Sequence, residues 1–322
     1  MRFVDLHCDT IAMKVALSGG KTELYKNDCH IDIEKLQKGG CLAQFFAIFV
    51  PINGAAENHG VKLGSYDFFQ MAYKVYLEQM EKNKDYILPA MNYEDIMRNK
   101  EMGKMSSVLT IEEGHPVEGK MERIKEFYDK GVRLLTLTWN YENCFGFPNS
   151  DDPELMKKGL KPFGIEAVSY MNELGMIIDV SHLSEGGFYD VAKYSKVPFV
   201  ASHSCARNLC SHRRNLWDDQ LKVLGETGSV VGINFASGFL RDGSADTYIA
   251  DIVKHMVHIK NKAGIEALAF GSDFDGITSN LEFKDYTGMP TIVKAMEKHF
   301  TSREIDMICN ENALRVIKAS MK

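Results

Sequence analysis

The 322-residue sequence predicts a closed (β/α)8 barrel of the TIM type. Short apolar runs alternate with helical periodicity along the whole chain, and eight of them read as strands, the number that closes a parallel barrel. Residue types that bind metals recur just past the ends of several runs. A doubly wound open sheet is the alternative, but it would more often begin with a Gly-rich phosphate turn, which is missing here. Barrels run to about 250 residues or more as one unit, so 1–322 is taken as a single barrel domain ending in helices.

The first strand is the run around Val4-Asp5-Leu6-His7-Cys8-Asp9, and the second is the continuous apolar segment 41–50, too short for an ordinary helix and suited to burial on both faces. In 66–84 the residues Phe69, Ala72, Tyr73, Tyr76, Leu77 and Met80 recur at three- and four-residue spacing, the mark of one buried helical face. Strands are then expected at 107–111, 132–139, 176–180, 197–201, 229–235 and 268–271. Helices are expected at 121–130, 164–174, 185–194, 218–227 (with Asp218 as cap), 245–263 and within 290–319. The longest stretch without periodicity, 140–163, is rich in Gly, Pro, Asn and Asp and follows the fourth strand, so it reads as a candidate lid.

Composition narrows the function. Lys and Arg number 38 against 44 Asp and Glu, a net charge of −6, and no basic face offers itself to nucleic acid or anionic lipid. No apolar run approaches the roughly 18 residues of a membrane span, and no signal-type segment opens the chain. The seven Cys contain no Cys-x-x-Cys pair and read as reduced thiols. A cytoplasmic protein acting on a small molecule is the expectation; a homodimer is compatible with the sequence.

The chemistry gathers at strand ends. In a strand, residues i and i+2 point the same way, so His7 and Asp9 can aim an imidazole and a carboxylate at one point. Glu112 and Glu113 follow the third strand, His182 the fifth, His203 the sixth, and Asp273 and Asp275 the eighth. That end of a barrel is where catalytic residues from different strands converge. Any one of these His is more often a satisfied core or loop residue, but recurrence at five strand ends favours metal. A carboxylate can bridge two ions about 3.5–4 Å apart, so one Glu could join a His/Asp pair to a His/His pair.

These residues and their surroundings resemble the membrane (renal) dipeptidase family of zinc peptidases, in a bacterial-type cytoplasmic form, along nearly the whole chain. The resemblance rests on Asp5-Leu6-His7-Cys8-Asp9, Ile111-Glu112-Glu113-Gly114-His115, Leu135-Thr136-Leu137-Thr138, the segment 159–164, Asp179-Val180-Ser181-His182, Ser202-His203-Ser204, Arg213-Arg214-Asn215 and the segment 271–276. It implies a binuclear zinc hydrolase cleaving dipeptides, with tolerance for a D-residue at the C-terminal position. Carried over by position, His7 and Asp9 would hold one Zn2+, His182 and His203 the other, and Glu112 both. Asp273 matches the catalytic acid, and Arg214 the Arg that holds the substrate carboxylate.

The sequence departs from the family at Glu113, which stands where a Gly is usual, and at Trp139, which stands where the membrane enzymes carry a His that steadies the oxyanion. Trp139 and its neighbour Asn140, with Asn143 as a further donor, are therefore substrate-side candidates. A hydrolase of another small amide or lactam is the rival reading, and a metal-loaded relative without turnover the more distant one. Intact Asp273 argues against the latter. His255 and His258 read as surface residues, and His115 as an even choice between surface and support of the site.

Overall fold

The computed structural model describes residues 1–322. Eight parallel strands form the barrel: β1 (Phe3–Cys8), β2 (Cys41–Phe49), β3 (Met105–Glu112), β4 (Val132–Thr136), β5 (Ile177–Asp179), β6 (Val200–Ser204), β7 (Val230–Ile233) and β8 (Leu268–Phe270). Each pairs with its neighbours in sequence, and β1 pairs with β8 through Asp5 and Phe270, which closes the ring and excludes the open sheet. Every residue of these strands is buried, because helices cover the outside and side chains fill the inside.

A cluster of 17 buried residues takes members from all eight strands, among them Leu6, Phe45, Val108 and Leu134, and so fills the barrel interior. Ala313, Val316 and Ile317 of the C-terminal helix Asn312–Ser320 join it. Asn312 Nδ2 donates to the Leu268 carbonyl and Ser320 Oγ to that of Pro198, both at strand beginnings, so this helix stoppers the N-terminal mouth. The opposite mouth is left to the site. A larger cluster of 70 residues packs between strands and outer helices. Gly271 sits where a Cβ would overlap the Ser202 carbonyl, so glycine lets the end of β8 come close to β6, the strand beyond β7.

The structure differs from the sequence reading in several places. A short strand, Ile87–Pro89, pairs with Met105–Ser107 on the half of β3 that β4 does not reach. β4 stops at Thr136, so Trp139 lies in the following loop. Asp218 is the first helical residue rather than the cap: its carboxylate faces His258 and Lys262 at 2.6 and 2.8 Å, while the Trp217 N–H donates to Gln220 Oε1. The helix expected from 245 begins at Ile249, because Asp246–Thr247 pairs with Asn280–Leu281. The segment 140–163 is irregular apart from the turn of helix Pro153–Met156 and the start of helix Pro162–Leu174. It is tied to the β5 loop, since Asn149 donates to the His182 carbonyl from both its backbone N–H and Nδ2.

Candidate metal centre

All five sequence-predicted ligands meet at the C-terminal mouth. Glu112, the last residue of β3, is central and only 3% exposed. Its Oε2 lies 3.5 Å from His7 Nε2, and its Oε1 lies 3.0 Å from His182 Nε2 and 3.5 Å from His203 Nε2. His7 Nε2 is also 3.5 Å from Asp9 Oδ2 and 3.9 Å from Asp273 Oδ1. Ligands about 2.1 Å from one tetrahedral ion are separated by about 3.4 Å, so this spacing suits groups that share a cation. All but the 3.0 Å pair are long for hydrogen bonds. His7 Nδ1 and Nε2 and Asp9 Oδ1 are buried without a hydrogen-bond partner, a costly arrangement unless a cation takes their lone pairs.

The backbone is bent sharply at and beside these groups. His182, Asp273, Asp275 and Glu113 all have positive φ, at 68°, 61°, 69° and 83°, a conformation costing such residues about 1–3 kcal/mol each. Gly276 completes the arrangement. A Cβ there would overlap Asp9 Oδ2 and Asp273 Oδ1, so its hydrogen leaves the two carboxylates room beside each other.

Two of the imidazoles are oriented from behind. His182 Nδ1 is 3.2 Å from Asn140 Oδ1, and His203 Nδ1 is 2.8 Å from Ser202 Oγ. Ser202 Oγ donates to Asp179 Oδ2 at 2.6 Å, and that carboxylate also accepts from Thr136 Oγ1 and the N–H groups of Ser181 and Ser202. With its proton given to Asp179, Ser202 Oγ accepts from His203 Nδ1; Asn140 Oδ1 does the same for His182. Both Nε2 lone pairs then face inward, 3.0 Å apart. Two lone pairs at that distance repel unless a positive charge lies between or beside them, and this is the usual outer support of metal-bound histidines.

Ionisation follows the same division. Burial pushes the Asp273 carboxyl up to about 8; His7 opposes this, and Asp9 and Glu112 add to it. Asp9 rises to about 6, by burial and then by Glu112. Burial would raise Glu112 too, but the charge of His7 beside it holds that carboxyl well below its usual range. On the other side burial, helped by Arg214, lowers His182 to about 3, and burial with His7 depresses His203. Neutral imidazoles are what a metal requires.

Asp273 Oδ2 accepts from Asn234 Nδ2 at 2.9 Å, which leaves Oδ1 turned toward His7. Arg214 is only 6% exposed and its Nε has no partner; one terminal nitrogen reaches the His203 carbonyl at 3.3 Å. It is therefore not a surface Arg. Burial lowers its pKa to about 10, so it stays charged at neutral pH. Trp139 packs edge-on to Phe49, ring centroids 4.9 Å apart, and both line the cavity of about 600 Å³ over the centre.

Other candidates fall elsewhere. Asn143 Nδ2 donates to Glu113 and to the Leu137 carbonyl, away from the cavity lining, so it is not a donor to substrate. Glu113 does not join Glu112: it accepts from Asn143 Nδ2 and from the N–H groups of Trp139 and His115, clasping the β4 loop to the β3 loop. The His115 side chain itself is exposed. His255 is fully buried, not superficial, with Nδ1 accepting from the Ala206 N–H and Nε2 donating to the Leu240 carbonyl. Asp275 is consumed by the N–H groups of His30 and Ile31 and by Thr10 Oγ1. The sequence reading gave Asp179, Ser202 and Asn234 no role. An Asp inside the apolar run Ile177-Ile178-Asp179-Val180 was the available signal, since a buried carboxylate needs partners.

Over residues 1–322 the chain matches the family described as membrane dipeptidase, peptidase family M19. It is 38% identical over 234 residues, 70% of this chain and 85% of the other, to an uncharacterized protein in the pqqA 5′ region of Klebsiella pneumoniae. With an uncharacterized dipeptidase of Schizosaccharomyces pombe it shares 32% identity over 302 residues, 90% of this chain and 72% of that one. Among solved structures, a metallopeptidase from Rhodobacter sphaeroides liganded with a phosphinate mimic of L-Ala-D-Ala superposes with a TM-score of 0.90 at 25% identity, over 99% of both chains. A metallopeptidase of family M19 described as dipeptidase AC gives 0.88 at 26%, over 100% of this chain and 99% of the other.

Proposed function

The chain belongs to the membrane dipeptidase family of metallopeptidases, and from that premise we propose that it hydrolyses dipeptides at a two-zinc centre bridged by Glu112. The observation that carries the reading is the placement of the Glu112 oxygens, one toward His7 and the other toward His182 and His203. His7, Asp9 and Glu112 would hold one Zn2+, and His182, His203 and Glu112 the other. When bound, such ions supply Lewis acidity toward a peptide carbonyl and make a water nucleophile available at neutral pH.

The chain's own groups do the rest. Asp273, fixed by Asn234 on one oxygen, uses Oδ1 to take a proton from the attacking water and to deliver it to the departing amine. Arg214 presents a planar cation with an uncommitted Nε, suited to a free C-terminal carboxylate. If it binds the residue beyond the scissile bond, it measures length and admits a dipeptide. Asn140 orients His182, and Trp139 with Phe49 walls the cavity. The R. sphaeroides relative with its L-Ala-D-Ala mimic supports tolerance of a D-residue at the C-terminal position. All seven cysteines are unpaired and five are buried, which suits a reducing cytoplasm.

The test is a hydrolysis screen over L,L- and L,D-dipeptides and their C-terminal amides, with Arg214→Ala beside the native chain. Arg214→Ala and amidation should each lower kcat/KM at least about tenfold, the worth of a charge-assisted hydrogen bond, and together cost little more than either alone. Brisk cleavage of amides by the native enzyme would overturn the role of Arg214, and no cleavage of any dipeptide by zinc-loaded protein would overturn the activity.

A further inference from the structure

The cavity over the centre has one cation that neither the proposed chemistry nor the fold uses. Lys14 lies in the helical turn Thr10–Val15 directly after Asp9, lines the cavity and is half-buried. No carboxylate lies within 4 Å of its ammonium, and it donates to no protein acceptor. Both oxygens of nearby Asp275 are already taken by backbone N–H groups and Thr10. Asp9, Glu112 and Asp273 are committed to the centre. A half-buried lysine on a cavity wall, without a counter-ion, is half of an interaction whose other half comes with the ligand.

Ring order tells which end of the ligand that is. Strands run β1-β2-β3-β4-β5-β6-β7-β8 around the barrel, so β2 lies opposite β6 and β1 lies beside β2. Arg214 sits over the end of β6 through the His203 carbonyl. Lys14 follows β1 and Phe49 ends β2, across the mouth from Arg214, with Glu112 and His7 between. A dipeptide whose C-terminal carboxylate meets Arg214 and whose peptide bond lies over the centre extends its N-terminal residue toward Lys14. Met13 and Phe49 line the same flank and suit the methylenes of a side chain that ends in charge.

We infer that Lys14 is a specificity-determining residue that selects dipeptides with an acidic N-terminal side chain. The inference rests on the dipeptidase reading. Its test is a matched set with one C-terminal residue, Glu-Ala, Gln-Ala and Lys-Ala, measured as kcat/KM on the zinc-loaded native enzyme, Lys14→Gln and Lys14→Glu. The native enzyme should prefer Glu-Ala to Gln-Ala by about tenfold, as expected of a charge-assisted contact. Lys14→Gln should bring that ratio near one, and Lys14→Glu should turn the preference to Lys-Ala. Equal native rates on Glu-Ala and Gln-Ala, or a preference that survives Lys14→Gln, would overturn the assignment while neutral dipeptides are still cleaved. A ratio of Ala-Glu to Ala-Gln that follows Lys14 instead would put the contact at the other end and overturn it too. Failure on every dipeptide strikes the dipeptidase reading itself.

Discussion

The two flanks of Glu112 are built on different principles. On the β5–β6 flank, His182 and His203 are held by the protein's own hydrogen bonds, through Asn140 and through Ser202 to Asp179. On the β1–β8 flank, the His7 ring nitrogens and Asp9 Oδ1 have no partner, and the Asp9 and Asp273 carboxyls are pushed upward by burial. One flank is arranged by the chain in advance; the other brings charges together and leaves a cation to satisfy them. Preformed imidazoles favour affinity. Crowded carboxylates favour a proton carrier kept close to the reacting atoms.

Glu112 belongs to both flanks, so Glu112→Gln should have the largest effect. It removes the charge that would be shared by two ions, and both bound metal and activity should fall to near background, read by metal analysis and hydrolysis together. Retention of two ions by that variant would mean that the flanks hold metal independently.

Asp273→Asn probes the carboxylate flank alone. It should keep most of the metal and lower kcat by about 10²–10⁴, the usual worth of general acid–base catalysis. A near-normal kcat would move the proton transfer to another group.

Ser202→Ala probes the imidazole flank from behind. Losing the link to Asp179 frees His203 to rotate and should weaken metal affinity by about 10–100-fold, with kcat at saturating zinc much less affected. An unchanged zinc titration would mean that packing alone orients His203.

The smallest effect concerns His255, which ties the β6 loop at Ala206 to Leu240 in its neutral form. Burial lowers its pKa to about 4 from 6.5, so the folded state resists its protonation. Unfolded chain then binds more protons than folded chain between those values, and stability falls as pH drops from 6.5 toward 4. His255→Gln should flatten that part of the Tm–pH curve. An unaltered slope would assign the acid sensitivity to the other imidazoles that burial lowers.

The sequence made the front of the site legible and its support much less so. His7, Asp9, Glu112, His182, His203 and Asp273 could be read because each ends an apolar run, and strand ends of a barrel share one mouth. Asn140 is expected from the sequence on the substrate side, but its Oδ1 meets His182 Nδ1, a contact that joins loops 42 residues apart and depends on how the irregular segment after β4 folds. Glu113 looked like a rival of Glu112, but alternation along the strand and a positive φ turn it away, where it fastens the loop carrying Trp139. His255 looked superficial because helical periodicity alone does not say that helix Ile249–Ala263 meets the β6 loop. The strand Ile87–Pro89 is three residues long and borrows an edge of β3 that β4 leaves free, which no local pattern announces.

The central claim, a two-ion centre organised around Glu112, is tested most directly by stripping the native enzyme with chelator and titrating zinc back while following dipeptide hydrolysis. Activity should rise until about two equivalents per chain are bound and then level off, as a carboxylate-bridged pair requires. Full activity at one equivalent, with no further gain from the second, would contradict it.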